Sequence, residues 1–222
     1  MKSEASPVDE RQTPDEAPAK IGRRERGKME KRRKIVESAR HLFLSNGFDS
    51  TTTLQIAERA DIGSGTLFTY AKTKEDLLVM VFHDEIMEVN RRSFANAPSR
   101  KKLMDQLLFV FGQMIDYHEQ DLDLHRRISK LMLDPTSERR SADMVEMLAL
   151  VYEGIAVILR TSAERGEVKP STNYDAASRM IFSIYYMNLL LWLSGLRDKK
   201  QSLTHLQAEL GVAIEGLRVS GA

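Results

Sequence analysis

The residues best suited to contacting another molecule lie in the stretch 51–76, which mixes small residues, hydroxyl groups and a few apolar side chains. The run Gly-Ser-Gly-Thr at 63–66 lets another molecule approach the backbone closely, and amide groups at a helix start can meet phosphates. Thr69 and Tyr70 add hydroxyl groups, and Lys74 adds a positive charge. This chemistry suits contact with nucleic acid. The structural alternative is that the small residues only cap a helix.

Two short helices joined by a turn must position these residues. Apolar residues at helical spacing define the first helix: Leu54, Ile56, Ala57 and Ala60. The sequence Asp-Ile-Gly at 61–63 predicts the turn, and the second helix should run to about residue 71, with Leu67 and Phe68 packed inward. Thr73 and Asp76 form the pattern of a capping box for a longer third helix. The pattern favours a helix-turn-helix unit whose second helix enters the major groove of DNA.

The formal charge of +1 conceals an uneven distribution along the chain. Residues 1–19 carry two basic and five acidic groups, whereas residues 20–74 carry 13 basic and six acidic groups, a net charge of +7. Such a segment suits a polyanion, because each phosphate contact by Lys or Arg releases a counterion; the alternative is a solvated basic surface. A flexible basic arm is expected ahead of the first helix, either reaching an adjacent minor groove or remaining a solvated tail. Its basic residues are Arg23, Arg24, Arg26 and Lys28.

The rest of the chain predicts an all-α fold of about nine helices, because no segment sustains the period-two alternation of a strand. The absence of cysteine excludes a disulfide framework and thiolate zinc sites, and it fits a reducing compartment. The polar residues at the start have no apolar core of a secretory signal, so a cytoplasmic protein is expected.

The run IAERADIGSGTLFTYAKTKEDLL, which begins at Ile56, resembles the signature of the tetracycline-repressor (TetR) family. A second part of the family pattern lies just upstream, and together the two parts cover about 50 residues. The matching residues are Ile56, Ala57, Ala60, Gly65, Thr66, Leu67, Lys74, Glu75, Asp76 and Leu77, preceded by Ala39, Leu42, Phe43, Gly47, Phe48, Thr51 and Thr52.

The resemblance implies which residues meet DNA. It implies phosphate contacts by Thr53, Tyr70 and Lys74. It implies base contacts or close approach near Gln55, Ser64, Gly65, Thr66 and Thr69. Four residues depart from the family pattern and put individual contacts in doubt: Asp61 in place of Gly, Gly63 in place of Ser, Phe68 in place of Tyr, and Ala71 in place of a bulky aromatic residue.

The proline content and low apolarity of residues 1–19, with the charge of the segment that follows, predict a disordered tail and basic arm at 1–27. The resemblance implies a DNA-binding domain at 28–75 and a helical regulatory and dimerisation domain at 76–222. It further implies a homodimer in which the last two long helices form a four-helix bundle across a twofold axis. Such a dimer would present two recognition helices to a palindromic operator in double-stranded DNA.

The segment 180–196 agrees independently with a dimer, because it is apolar on nearly every face, as expected for a helix buried by its own domain and by a partner. A membrane span is the alternative. The segment has 17 residues, at the short edge for crossing a bilayer, and it contains Ser183, Asn188 and Ser194. No basic cluster flanks it, so no membrane partner is expected.

A ligand pocket in the regulatory domain should be mainly apolar with a few polar anchors. Such a hydrophobic lining suggests an apolar or aromatic effector. The candidate anchors are Gln113, Tyr117, His118, Tyr152, Tyr186 and Asn188, each of which has an alternative role in the core or at an interface. The polar cluster between His118 and His125 suggests a metal site only superficially, and an exposed connection between helices is the favoured interpretation. No metal, cofactor or catalytic residue is expected.

These patterns predict a sequence-specific DNA-binding transcriptional regulator, a repressor released by its ligand. One alternative is an activator, or a regulator without a small-molecule effector. Another is a helical enzyme or membrane-associated protein with a vestigial helix-turn-helix. The absence of a nucleophile motif and of a phosphate-binding loop argues against an enzyme.

Overall fold

The computed structural model of the chain describes residues 22–132 and 138–219. Within these ranges, every regular element is an α-helix, which confirms the predicted all-α fold. The nine helices are α1 (Arg23–Asn46), α2 (Thr53–Arg59), α3 (Ser64–Tyr70), α4 (Lys74–Ala95), α5 (Leu103–Glu119), α6 (Leu122–Met132), α7 (Glu138–Glu164), α8 (Tyr174–Leu193) and α9 (Lys199–Leu217). The predicted tail up to residue 21 lies outside the described residues.

Helix α1 begins earlier than the sequence suggested. The basic residues expected in a flexible arm occupy its first turns, and Gly27 lies inside the helix. A glycine costs a helix only about 1 kcal/mol relative to alanine. Ion pairs of Arg33 with Glu30 (2.5 Å) and Glu37 (2.7 Å) brace the next turns of the helix. The prediction of a flexible arm at 23–27 was therefore wrong.

Side chains cap the helices that surround the helix-turn-helix unit. The hydroxyl of Thr52 accepts from the amide of Gln55, whose side chain accepts in turn from the amide of Thr52. Thr73 and Asp76 make the same reciprocal pair at the start of α4, which confirms the predicted capping box. Both boxes satisfy amides that the first helical turn leaves without partners, so the two helix starts are well defined.

The first core packs α1, α2 and α3 against the N-terminal half of α4. Helices α1, α2 and α3 contribute Ile35, Ile56 and Leu67, and α4 contributes Leu77 and Leu78. Each of these side chains is buried. Burying a side chain of this size contributes about 1.5–3 kcal/mol. This core fixes the orientation of α3 relative to α4.

The second core lies among α5, α7, α8 and α9. The rings of Phe111 and Tyr185 stack at its centre with their centroids 4.5 Å apart. Helix α7 approaches the end of α4 closely at Gly154, where a Cβ atom would lie 2.6 Å from the ring of Phe94. Only glycine permits this distance, so α4 is held against both cores.

Helix α8 buries one side in the second core and leaves Met180 and Met187 exposed on the other. These two methionines are seven residues apart and share one face of the helix. Among the described residues, no helix combines the length and the apolarity that crossing a bilayer requires.

The turn between α2 and α3 contains a strained residue. Asp61 has a φ of 55°, in the left-handed region that favours glycine. It follows the C-terminal residue of α2, Ala60, at the position where helices most often place a glycine.

Replacing Asp61 with glycine should therefore stabilise the protein by about 1 kcal/mol in urea-induced unfolding without DNA, because the left-handed conformation would no longer strain a Cβ atom. Asp61→Ala is the matched control, since it removes the charge and keeps the Cβ atom. Equal stabilisation by both variants would show that charge, and not backbone strain, governs this position.

Candidate DNA-binding interface and ligand cavity

Helices α2 and α3 form the predicted helix-turn-helix. The amide of Ile62 donates to the carbonyl of Ala57 at 3.1 Å and closes the turn. The carbonyl of Gly63 accepts from the amides of Thr66 and Leu67 and starts α3. Leu67 is buried beneath α3, so the other side of this helix faces outward.

The residues predicted to meet DNA lie at or near the surface of this unit. Gln55, Gly65 and Thr69 are exposed, whereas Thr53, Ser64, Thr66, Tyr70 and Lys74 are half-buried. Four of their side chains are also engaged internally, those of Gln55, Thr69, Tyr70 and Lys74. The Gln55 carbonyl takes part in the α2 capping box, and the Thr69 hydroxyl donates to the carbonyl of Thr66 at 2.7 Å.

Gly63 and Gly65 have no internal reason to be glycine. Both have ordinary negative φ angles, and a Cβ atom at either position would meet nothing within 4 Å. Their small size therefore leaves open space outside α3, where another molecule can approach the backbone.

Phe68 was predicted to pack inward, and that prediction was wrong. Phe68 is 48% exposed, whereas its neighbour Leu67 is 1% exposed. Successive side chains of a helix point in different directions, and in the short helix α3 Leu67 takes the buried position. Phe68 thus adds an aromatic side chain to the outer surface of α3.

The basic first turns of α1 lie beside the C-terminal end of α3. The hydroxyl of Tyr70 donates to the carbonyl of Lys28 at 3.3 Å. Tyr70 shares a shallow depression with α1 residues that are mostly basic: Arg23, Arg24, Glu25, Gly27, Lys28 and Lys31. The arm is therefore placed next to the recognition helix, as a helix and not as an extended strand.

Lys74 and Arg127 hold the loop between α1 and α2. The ammonium group of Lys74 donates to the carbonyls of Phe48 (2.8 Å) and Asp49 (3.2 Å) and lies 4.4 Å from the centre of the Phe48 ring. Arg127 on α6 lies 4.7 Å from the same ring centre and pairs with Asp49 at 3.2 Å. We call these four residues the loop clasp. It joins the DNA-binding unit to both α4 and α6.

Polar links also join α1 to α4 and α5. Arg32 donates two hydrogen bonds of 2.7 Å to the carboxylate of Asp84. Arg40 pairs with one oxygen of Glu85, and the other oxygen accepts from the hydroxyl of Tyr117 at 2.7 Å. Glu85 therefore connects three helices.

Both links keep their protonation states near neutral pH. Partial burial alone would raise the pKa of Asp84, but the neighbouring His83 ring and the hydrogen bonds from Arg32 outweigh burial and lower the pKa to about 2. Burial and the Glu85 carboxylate raise the pKa of Tyr117, because both disfavour its anion. Asp84 thus remains an acceptor and Tyr117 a donor.

A mainly apolar cavity lies between α4, α5, α6, α7 and α8. Of the six candidate anchors, His118 and Tyr186 line it. The full lining is Phe82, Ile86, Asn90, Met114, His118, Ile128, Ser129, Met144, Met147, Val151, Phe182, Tyr185, Tyr186 and Leu189. The cavity therefore has the composition of a site for an apolar ligand.

The other four candidate anchors do not line this cavity. Gln113 is exposed and, like Tyr117, borders a separate surface groove. Tyr152 packs edge-on against Phe182, with ring centroids 5.6 Å apart. Asn188 is buried and bonds to Glu209 (2.7 Å) and Arg197 (3.0 Å), which ties α9 and the end of α8 together.

The histidines of the polar cluster are buried, so the prediction of an exposed connection was wrong for them. His118 ends α5 and His125 lies on α6, and their ring centroids are 4.8 Å apart in an edge-on contact. The short turn between the two helices folds both rings inward beside Phe82. Among the described residues, no group of three or more metal-ligating side chains comes together.

Burial also removes charge from these rings. Burial and the neighbouring His125 lower the pKa of His118 to about 3. Burial likewise lowers the pKa of His125, although its ring nitrogen contacts the carbonyl of His118 at 3.0 Å. Both rings are therefore neutral at physiological pH, and the cavity wall presents polarity without charge.

Comparison with known proteins decides the family. Residues 35–81, which span most of the first core, match the model described as bacterial regulatory proteins of the tetR family. This segment of the chain is therefore a tetR-family DNA-binding segment.

Similar proteins align with most of the length of the chain. The HTH-type transcriptional repressor KstR of Rhodococcus jostii is 23% identical over 193 residues, which are 87% of this chain and 85% of KstR. The fatty acid metabolism regulator protein of Bacillus subtilis is 23% identical over 179 residues, 81% of this chain and 91% of that protein.

Solved structures share the TetR-family fold. FadR of Thermus thermophilus, in complex with lauroyl-CoA, matches with a TM-score of 0.67 and 24% identity, covering 86% of this chain and 97% of FadR. FadR of Bacillus subtilis, in complex with stearoyl-CoA, matches with a TM-score of 0.61 and 20% identity, covering 84% and 99%. The nine helices of the described residues thus share the fold of these two structures.

Sequence reasoning missed Asn90 and Arg127. Asn90 continues the apolar stripe of Phe82 and Ile86 at four-residue spacing, so a polar residue on a buried stripe was a legible signal. Arg127 gave no such signal, because its partners in the loop clasp are 78 or more residues away along the chain.

Lys74→Ala should weaken binding to every duplex and lower the slope of log affinity against log salt by about one unit, because one phosphate contact is lost. The Lys74 ammonium has three N–H groups and makes two hydrogen bonds to carbonyls, so it can also donate to a phosphate that approaches the loop. Affinity and salt slope are measured by fluorescence anisotropy, and urea unfolding separates binding from loss of the loop clasp.

Thr66→Ala is the contrasting variant. It should change which base pairs are preferred, typically by ~1–3 kcal/mol at the affected position. If Lys74→Ala lowers stability but leaves affinity and salt slope unchanged, Lys74 serves the fold alone.

Proposed function

We propose that this TetR-family chain is a transcriptional repressor that binds a palindromic operator as a homodimer and leaves it when an apolar small molecule enters the cavity. One observation carries the proposal. Helix α4 begins in the core of the helix-turn-helix unit and also supplies Phe82, Ile86 and Asn90 to the cavity wall. A ligand that changes the position of α4 therefore acts directly on the recognition helix.

The named relatives support repression and an apolar ligand. KstR of Rhodococcus jostii is named a transcriptional repressor, and the two FadR structures hold lauroyl-CoA and stearoyl-CoA. Both ligands contain a long acyl chain, which suits the apolar lining of the cavity in this chain. Because bacterial DNA lies in the cytoplasm, we place the protein there and assign it regulation and not catalysis.

The narrowness of the cavity explains how binding would be coupled to release. The volume that the centre of a water-sized sphere can reach is about 50 Å³, which is room for a few water molecules. A larger ligand must therefore separate the surrounding helices. Ligand binding then favours a different spacing of the two recognition helices, and this difference in affinity for the two states is the coupling.

Helix α6 supplies a second route for the same coupling. Its residues Ile128 and Ser129 line the cavity, and the adjacent Arg127 belongs to the loop clasp. Displacement of α6 by a ligand would therefore pull on the loop that precedes α2. Both routes therefore connect the same cavity to the helix-turn-helix unit.

The exposed faces of α8 and α9 support the dimer. Met187 is 56% exposed on α8, and Val212 is 77% exposed on α9. Exposed apolar side chains on two adjacent helices suit burial against a second copy of the chain. Two recognition helices joined in this way can meet half-sites roughly 34 Å apart or multiples of that distance.

Met187→Glu should convert the dimer to a monomer in sedimentation velocity, because a carboxylate would be buried at the interface without a partner. Operator affinity should fall at least tenfold, since each monomer then binds one half-site. Val145→Glu is the matched control, because Val145 is 66% exposed on α7, away from the proposed interface. A Met187→Glu protein that remains dimeric would contradict this interface.

Selection of bound duplexes from a random pool tests the proposed function most directly. The expected product is a palindromic site, bound with a steep dependence on salt because of the basic surface around α1 and α3. The absence of binding to any duplex at low salt would overturn the proposal.

A further inference from the structure

The cavity wall contains two polar atoms that have no hydrogen-bond partner. They are Oδ1 of Asn90 and Nδ1 of His118, and each exposes less than 1 Å² to solvent. Both residues are almost fully buried, Asn90 at 2% and His118 at 5% exposure, and both line the same cavity. They stand out because the rest of the lining is mainly apolar.

Such atoms are costly in a folded protein. A buried polar group without a partner costs about 1–3 kcal/mol, and most buried groups are satisfied. Asn90 also occupies a position on α4 where its neighbours on the stripe, Phe82 and Ile86, are apolar. A leucine there would pack without this cost, so the amide is better explained by a partner that enters the cavity.

The chemistry of that partner follows from what the cavity lacks. Its lining contains no lysine, arginine, aspartate or glutamate. The imidazole of His118 is neutral, as shown above, because burial lowers its pKa. A carboxylate or ammonium group inside the cavity would therefore be buried without a counter-charge, which is strongly unfavourable.

We propose that Asn90 and His118 select an uncharged, mostly apolar ligand that carries a hydroxyl group. This inference rests on the proposed function and specifies the chemistry of its effector. The hydroxyl donates to Oδ1 of Asn90, and the apolar body of the ligand occupies the remainder of the cavity. Nδ1 of His118 provides a second neutral hydrogen-bonding atom on the same wall.

A hydroxyl fits these atoms better than a carbonyl group does. With the Asn90 amide in its present orientation, a ketone, an ester or the thioester of an acyl-CoA would leave Oδ1 unsatisfied, because these groups only accept hydrogen bonds. A hydroxyl both donates and accepts, so it completes the Asn90 amide in either of its two orientations and also complements a neutral imidazole. The amide thus discriminates between ligands of the same apolar size.

Direct binding of matched probes to the full-length protein, without DNA, tests the inference. The alcohols are octan-1-ol, which is linear, and 2-naphthylmethanol, which is flat. Each is compared with its methyl ether, and octan-1-ol is also compared with octanoate and octanoyl-CoA. Isothermal titration calorimetry and the shift in melting temperature report binding. At least one alcohol should bind about tenfold more tightly than its ether, and octanoate should bind most weakly.

Variants show whether Asn90 is responsible. Asn90→Leu should lower the affinity for the alcohol about tenfold and leave the affinity for the ether unchanged. It should also raise the melting temperature of the ligand-free protein, because it removes an unsatisfied amide. Ser93→Ala, at a buried polar residue of α4 that does not line this cavity, is the matched control and should preserve the preference for the alcohol. If Asn90→Leu does not fold, His118→Phe provides the same comparison and keeps the ring contact with Phe82.

Three outcomes would overturn the inference. These are equal affinity for alcohol and ether, an unchanged preference in both Asn90→Leu and His118→Phe, and binding by neither alcohol, which would indicate that water alone satisfies the two atoms. Operator binding of the wild-type protein is measured separately. Loss of the alcohol preference with intact operator binding rejects the ligand class alone, whereas absence of operator binding rejects the proposed function.

Discussion

The structure depends on the position of α4, whose buried apolar side chains belong to the first core and whose half-buried Phe94 packs against the second. Leu77 and Leu78 pack in the core of the DNA-binding unit, while Phe82 and Ile86 reach the cavity of the regulatory domain. Protein interiors are packed as densely as organic crystals, so a helix shared by two cores cannot shift in one without disturbing the other. The close contact of Gly154 with the ring of Phe94 removes further freedom at the far end of the helix.

The polar links around α4 set its angle more than they stabilise it. The side chains of Arg32 and Asp84 are 34% and 37% exposed, and ion pairs at such positions contribute little free energy on their own. Their geometry is nonetheless specific, since two parallel hydrogen bonds fix a guanidinium plane relative to a carboxylate. Glu85 also links α4 to a third helix, α5, because it accepts a hydrogen bond from Tyr117. Apolar burial therefore supplies stability, and these links determine which of several packed arrangements is adopted.

Local patterns explain why so much of the fold was predictable from sequence. The capping box of Thr73 and Asp76, the spacing of apolar residues and the positions of glycine and proline act within a few residues, so helix boundaries were close to those observed. The family signature located the helix-turn-helix unit because it too is a local pattern. The extent of α1 was not predicted, because Gly27 suggested a break that the helix tolerates. The loop clasp and the inward rotation of His118 and His125 depend on contacts between distant segments, which periodicity does not encode.

Four residues that break local rules lie at the two sites where another molecule is proposed to bind. In the helix-turn-helix unit, Asp61 adopts a glycine-like conformation and Phe68 exposes an aromatic ring. In the cavity, Asn90 and His118 bury polar atoms without partners. Natural proteins depart from local consistency mainly where function requires it, and they compensate with stability elsewhere. The compensation here is the pair of apolar cores on either side of α4. Helix α4, which lies between these two cores, therefore also connects the two sites.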